Sequence, residues 1–335
     1  MTGGEMQSIG VIGGGAWGTA LAATAAQAGR AVTLWAREPE VVSAINETHE
    51  NAVFLPGVTL DPSIRATDEL ATAADADVLL LVSPAQHLRH VSRDIAAITD
   101  ASVPLVICSK GIEQDSLMLM SAVLEETAPS HPVAVLSGPT FADEVALAKP
   151  SAVTLAAADD PLGQSLVEAL GHAYFRPYQS HDVIGAQVGG AVKNVLAIAA
   201  GIVAGAGLGN NAAAALITRG LAEIVRLGLV LGGERETMMG LSGLGDLVLT
   251  CSSTQSRNMS LGKALGEGRA LEDVLGERKS VAEGVFSASA VAALADRHDI
   301  DMPICAAMDR VLNHGSSVAQ EITALLNRPF RAESL

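Results

Sequence analysis

The sequence predicts an α/β chain in two domains, a doubly wound sheet over residues 1–182 and an all-helical half over 183–335. Three observations carry this expectation. Apolar, strand-like runs alternate with helical stretches from Ser8 to about Tyr178, the pattern of a parallel sheet being wound. Past Val183 only helical periodicity remains. The length, 335 residues, suits two domains that each bury a core.

Composition narrows the function classes. A formal charge of -16 argues against a polyanionic partner such as nucleic acid, so an anionic small molecule must be met by locally converging cations. Cys108, Cys251 and Cys305 are odd in number and widely spaced, which supports neither a disulfide framework nor a zinc site; a reducing cytoplasm fits best. MTGGEMQ has no basic or apolar region ahead of Ser8, so no secretory signal is expected.

The first element is the apolar strand SIGVIG, followed by Gly13-Gly14-Gly15-Ala16-Trp17-Gly18 and an Ala-rich helix. GxGxxG alone is a weak pattern, but strand, glycine turn and helix in that order make a dinucleotide site, as in a Rossmann-like fold. Gly13 allows the tight turn, Gly15 lets a pyrophosphate approach the backbone, and Gly18 lets helix and strand pack closely. The helix N-terminus then offers N–H groups to phosphate. AVTLWARE reads as the second strand; Ala36 stands where an acid would bind a ribose 2′-hydroxyl, and Arg37 follows. Arginine there suits a 2′-phosphate and leans the chain toward NADP(H), although Glu38 and a plain surface role for Arg37 keep NAD(H) open.

Next come a helix over 39–48, a capped helix from Thr67, the strand DVLLLV, a helix through His87 and His90, and the strand PLVICS. His87 and His90 lack a nearby third ligand and read as exposed histidines rather than a metal site. Lys110 follows a strand's carboxyl end, where open parallel sheets place ligands, though a loop lysine would look the same. VAVL then leads to Ser137-Gly138-Pro139-Thr140, whose hydroxyls reach the same edge or serve only the turn. SAVTLAA and YFRPY read as further strands around a helix over 160–171.

The helical half opens on VIGAQVGGAVKNVLAIAAGIVAGAGLG, residues 183–209, whose one charge is Lys193. Helical spacing puts Gly190, Lys193, Asn194, Ala197, Gly201 and Gly205 on one broad face of small residues. An ammonium among apolar neighbours is brought within reach of proton chemistry, which makes Lys193 the candidate catalytic proton carrier. A packed helix with a snorkelling lysine, or a membrane span, is the plainer alternative; Gln187, Lys193 and Asn194 interrupt a span, so no integral membrane association is expected. A helix over 211–231 carries Arg219, Glu223 and Arg226 as a polar stripe, read as a helix face or dimer contact. Asp246 and Thr250 are spaced to share a helix face, and Ser256-Arg257-Asn258 offers hydroxyl, guanidinium and amide suited to a phosphate monoester, or a cap with a surface arginine.

With these residues assembled the chain resembles the bacterial NAD(P)-dependent glycerol-3-phosphate dehydrogenases. GGGAWGTA, LWAR, NAVFLPG, CSKGIE, SGPTFADEVA, GGAVKN, TRGLAE, GLSGLGDLVLTC, QSRN and VAEG run in family order from about Gly10 to Pro303. The resemblance implies that Ala16, Trp17, Arg37, Lys110, Ala142, Arg257, Val281 and Glu283 contact NAD(P)H. It implies that Lys110, Gly138, Thr140, Lys193, Asp246, Ser256, Arg257 and Asn258 surround a phosphorylated small-molecule substrate, in a homodimer that supplies phospholipid synthesis. Lys193 would exchange the proton, while Lys110 and Asn194 polarise the reacting oxygen. Ala282 stands where Val is common in the family, and residues after Ser316 match nothing. A β-hydroxyacid dehydrogenase would carry an asparagine one turn beyond the lysine, where this chain has Ala197, and a non-catalytic NADP sensor would not need Lys110, Lys193, Asp246 and Arg257 together.

Overall fold

The computed structural model describes residues 6–277, 283–330 and 332. The chain forms two compact units, Met1–Lys110 with Met120–Val183, and Gly111–Leu119 with Ile184–Leu335.

The first unit is built on β1 (Ser8–Ile12), β2 (Ala31–Trp35), β5 (Arg65–Thr67), β6 (Val78–Leu81), β7 (Leu105–Ile107), β8 (Val133–Ser137), β9 (Ser151–Ala157) and β10 (Phe175–Ser180). They form one sheet in the order β10-β9-β8-β7-β6-β1-β2-β5. A separate hairpin pairs β3 (Glu50–Asn51) with β4 (Leu55–Thr59). The central strands are apolar on both faces because helices cover both: β6 is buried at every position, and Ile9, Val11, Leu80, Val106 and Leu136 join one core. Strand order reverses between β6 and β1, so the turn after β1 lies at the switch point where such sheets bind ligands.

Two local expectations give way. Every pairing in the large sheet is parallel except β8 with β9, which is antiparallel. The connection between them holds only the five-residue helix Ala142–Ala146, too short to cross the sheet and return the chain in the same direction. Thr67, expected to cap a helix, closes edge strand β5, and the helix begins at Leu70.

In the second unit the helix Val183–Gly205 is the core element. It is long and apolar enough to cross a membrane, but 89% of its most apolar stretch is buried inside the protein, and Val188, Val192, Val195, Leu196 and Ile198 belong to the unit's core. Its glycines let other backbones come close. A Cβ at Gly201 would sit 2.1 Å from the Met259 carbonyl oxygen, and one at Gly262 would sit 1.9 Å from that of Ile198, so this helix and Arg257–Gly266 pack at near-backbone contact. Similarly, a Cβ at Gly189 would meet the Ser242 carbonyl oxygen at 2.4 Å. Ser242 belongs to a π-helical turn, Leu241–Gly245, that runs into the helix Asp246–Ser252.

The helix Asn210–Val230 carries Glu223, which is buried rather than part of a solvated stripe. Its two carboxyl oxygens accept from Ile304 N (2.7 Å) and Cys305 N (3.0 Å), satisfying the open N–H groups of Pro303–Asn313. Burial pushes the Glu223 carboxyl up, against the pull of those two N–H donors. The last helix, Val318–Leu326, begins with a capping box between Ser317 and Gln320.

Candidate active site

In the first unit the glycine turn fits a dinucleotide by its own geometry. Gly13 takes φ +133, and Gly18 lies so close to it that a Cβ there would fall 1.8 Å from the Gly13 carbonyl oxygen. A Cβ at Gly15, by contrast, would meet nothing within 4 Å, so the backbone is open where a pyrophosphate would approach. The helix Ala16–Gln27 has no side-chain cap on its first turn, which leaves N–H groups for an anion. The indole Nε1 of Trp17 is buried without a partner among the described residues, a donor that a bound acceptor would satisfy.

Asn51, within the NAVFLPG motif, was given no role from sequence yet clamps this turn. Its amide donates to the Gly14 carbonyl and to Thr19 Oγ1, each at 2.8 Å, and its carbonyl accepts from Phe54 N. At the end of β2 the side chain of Ala36 packs where a Gly14 Cβ would fall, 2.4 Å away, which explains a glycine at position 14. The Arg37 side chain is 78% exposed and pairs loosely with Glu38 at 3.5 Å.

At the same carboxyl edge, Lys110 Nζ donates to the Gly138 carbonyl at 3.0 Å, and Thr140 Oγ1 to the same oxygen at 3.3 Å. A Cβ at Gly138 would come within 2.9 Å of Val153 Cα, which explains a glycine there. Ala142 opens the short helix that follows.

In the second unit Lys193 is not surrounded by small apolar groups alone. Its Nζ donates to Asp246 Oδ1 at 2.6 Å and to Thr250 Oγ1 at 2.9 Å, with the two charged side chains 8% and 0% exposed. Thr250 in turn donates to the Asp246 backbone carbonyl at 2.6 Å, the one-turn relation that Asp246 and Thr250 share on their helix. The glycine contacts bring this about: Gly189, one turn before Lys193, lets the π-helical turn approach, and that turn delivers Asp246. Cys251 lies beside the pair; burial pushes its thiol up to about 12, with Lys193 opposing and Asp246 adding to the shift, so it remains an unreactive thiol.

Asn194 Oδ1 accepts from Asn258 Nδ2 at 3.0 Å, and Asn258 Oδ1 accepts from Gly284 N at 3.1 Å. This ties the lysine helix to Arg257–Gly266 and to Glu283–Arg297. Ser256 is the N-cap of Arg257–Gly266, accepting from Met259 N at 3.2 Å, and Arg257 is exposed at that helix's first position. Glu283 opens its own helix, and Val281 lies outside the described residues. His90 is solvent-facing and pairs with Asp94 at 3.4 Å.

The first unit thus presents a dinucleotide cradle, and the second a buried ammonium–carboxylate–hydroxyl cluster beside an asparagine network and a helix start bearing arginine. Comparison with known proteins agrees. Residues 8–162 match the family model of the NAD-dependent glycerol-3-phosphate dehydrogenase N-terminus, and residues 182–323 that of the C-terminus. The chain is 62% identical to a glycerol-3-phosphate dehydrogenase [NAD(P)+] of Rhodospirillum rubrum over 326 residues, 97% of this chain and 93% of the relative. It is 57% identical to the enzyme so named from Parvibaculum lavamentivorans, over 98% of both chains. Among solved structures, the glycerol-3-phosphate dehydrogenase of Coxiella burnetii superposes with a TM-score of 0.93 at 38% identity, covering 97% of this chain and all of that one. The protein therefore belongs to the family of NAD-dependent glycerol-3-phosphate dehydrogenases.

Proposed function

We propose that the protein reversibly reduces dihydroxyacetone phosphate to sn-glycerol 3-phosphate, which feeds phospholipid synthesis, with NADPH as the preferred reductant and NADH as the alternative. The observation that carries this reading is the buried contact of Lys193 with Asp246 and Thr250. The bound nicotinamide supplies the hydride. Reduction of a ketone then needs one proton on its oxygen, and Lys193 would deliver it; in the reverse direction it would take the C2 hydroxyl proton back.

Asp246 and Thr250 fix the Nζ atom and stabilise its charge, so the donor is held in place before the substrate arrives. Asn194 uses its carbonyl on Asn258, while its Nδ2 has no partner among the described residues and suits the reacting oxygen. Lys110 would add a second polarising charge, and Gly138 and Thr140 would line its surroundings. The phosphate would be held by Arg257, by the N–H groups that open its helix, and by Asn258, with Ser256 setting the start of that helix. Holding the phosphate fixes C2 near attack distance, so remote binding energy contributes to turnover.

On this reading residues 1–182 are the dinucleotide-binding domain, with Ala16, Trp17, Arg37, Lys110, Ala142, Arg257, Val281 and Glu283 as cofactor contacts, and residues 183–335 are the substrate and catalytic domain. The three buried, unbridged cysteines suit the cytoplasm. Leu229 and Val230, exposed at the end of their helix, suit a homodimer contact. The direct test is nicotinamide absorbance after mixing protein, NADPH and ketone. It should fall rapidly with dihydroxyacetone phosphate and hardly at all with dihydroxyacetone; equal rates would remove the phosphate from the reading.

A further inference from the structure

Ser83 lies two residues beyond β6, on the strand next to β1 at the reversal of strand order. It is 5% exposed, and its Oγ has no hydrogen-bond partner among the described residues. Its backbone lines the glycine turn: a Cβ at Gly13 would lie 3.0 Å from Val82 C and 3.2 Å from Ser83 N. From the far side Ser109 Oγ donates to the Ser83 carbonyl, so the residue is pinned in place while its hydroxyl is unmet. A buried hydroxyl without a partner destabilises a fold, and an alanine of nearly the same volume would avoid that cost. The Ser83 backbone borders the turn expected to hold the pyrophosphate, which puts this residue at the edge a bound dinucleotide would occupy.

We propose that Ser83 is a cofactor-binding residue whose Oγ hydrogen-bonds a pyrophosphate oxygen of the dinucleotide at the glycine turn. The inference rests on the dinucleotide being held at that turn. Because this part of the ligand is common to NADPH and NADH, Ser83 contributes equally to both, unlike Arg37 at the 2′-position.

The test compares Ser83→Ala with Thr24→Val. Thr24 Oγ1 is also buried and unpartnered among the described residues but lies on the helix Ala16–Gln27, well past its first turn. Dissociation constants for NADPH and NADH are measured by fluorescence titration, and the unfolding midpoint is measured without ligand. Ser83→Ala should raise both dissociation constants by the same factor, about 3–10-fold, the effect of one net hydrogen bond, with an unfolding midpoint equal to or above wild type. Thr24→Val should also hold or raise the midpoint and leave both constants unchanged. Unchanged constants in Ser83→Ala overturn the proposal. So does weaker binding that comes with a lowered midpoint, because the hydroxyl would then be structural, and so does a loss confined to NADPH. Failure of the wild type to bind either dinucleotide would instead overturn the parent reading of the turn.

Discussion

Lys193 and Asp246 meet where water barely reaches, and a buried pair that loses one partner leaves the other charge uncompensated. Asp246→Asn should therefore destabilise the protein by about 3–5 kcal/mol and sharply reduce turnover. Chemical denaturation that finds a change under about 1 kcal/mol would show that the ammonium finds compensation elsewhere. Arg37 is the opposite case, exposed and weakly paired. Arg37→Asp should weaken NADPH by about tenfold and NADH much less, since a charge-assisted hydrogen bond contributes about 1.5–3 kcal/mol before screening at the surface reduces it. Equal kinetic losses with both cofactors would sink that assignment. For Arg257, replacement by lysine keeps the charge and loses the two-pronged grip. Turnover over KM should fall at least about tenfold for dihydroxyacetone phosphate and hardly change for the already poor substrate dihydroxyacetone. A common factor for the two ketones would place Arg257 with the cofactor or the fold.

At the scale of elements, the glycines of the lysine helix decide the geometry. Gly201→Ala adds helix propensity of about 1 kcal/mol but drives a Cβ into the Met259 carbonyl, and overpacking of this kind typically costs about 1–3 kcal/mol. At 2.1 Å the steric term should win and lower the unfolding midpoint. The opposite outcome is expected for Gly276→Ala, where the new Cβ meets nothing within 4 Å among the described residues. If both variants shift the midpoint upward, the close helix contact is not what requires glycine. The small-residue face was legible in sequence because period and residue size are local properties. Its partners were not: that Gly262 faces Ile198, or that a π-helical turn carries Asp246 up to Lys193, depends on tertiary approach across about fifty residues of chain. The apolar surroundings expected for Lys193 were incomplete for the same reason. Other misses had local signals. Ser317 and Gln320 spell a capping box ahead of Val318–Leu326, and Asn51 sits in a motif whose only buried polar residue is that asparagine. Glu223 read as one member of a polar stripe on a helix face or dimer contact, because nothing nearby in sequence announces the helix start it caps.

At the scale of the whole molecule, the chain forms two units with separate cores; on the proposed reading one holds the cofactor that gives the hydride, and the other supplies the proton and the phosphate grip. Sequence alternation was enough for the sheet, since strands buried on both faces read as apolar runs; the strand order and the antiparallel pairing of β9 with β8 depend on how the chain crosses the sheet, which such runs do not record. The central claim is that Lys193 is the proton carrier. The most direct measurement is steady-state reduction of dihydroxyacetone phosphate by wild type, Lys193→Ala and Lys193→Arg, each alongside an NADPH binding titration. NADPH affinity should stay within about twofold while turnover falls about 10²–10⁴-fold in Lys193→Ala, and Lys193→Arg should not restore it, because a guanidinium holds its proton. Near-normal turnover in Lys193→Ala, with the protein folded and binding NADPH, would return Lys193 to the role of a buried charge that pairs with Asp246 and nothing more.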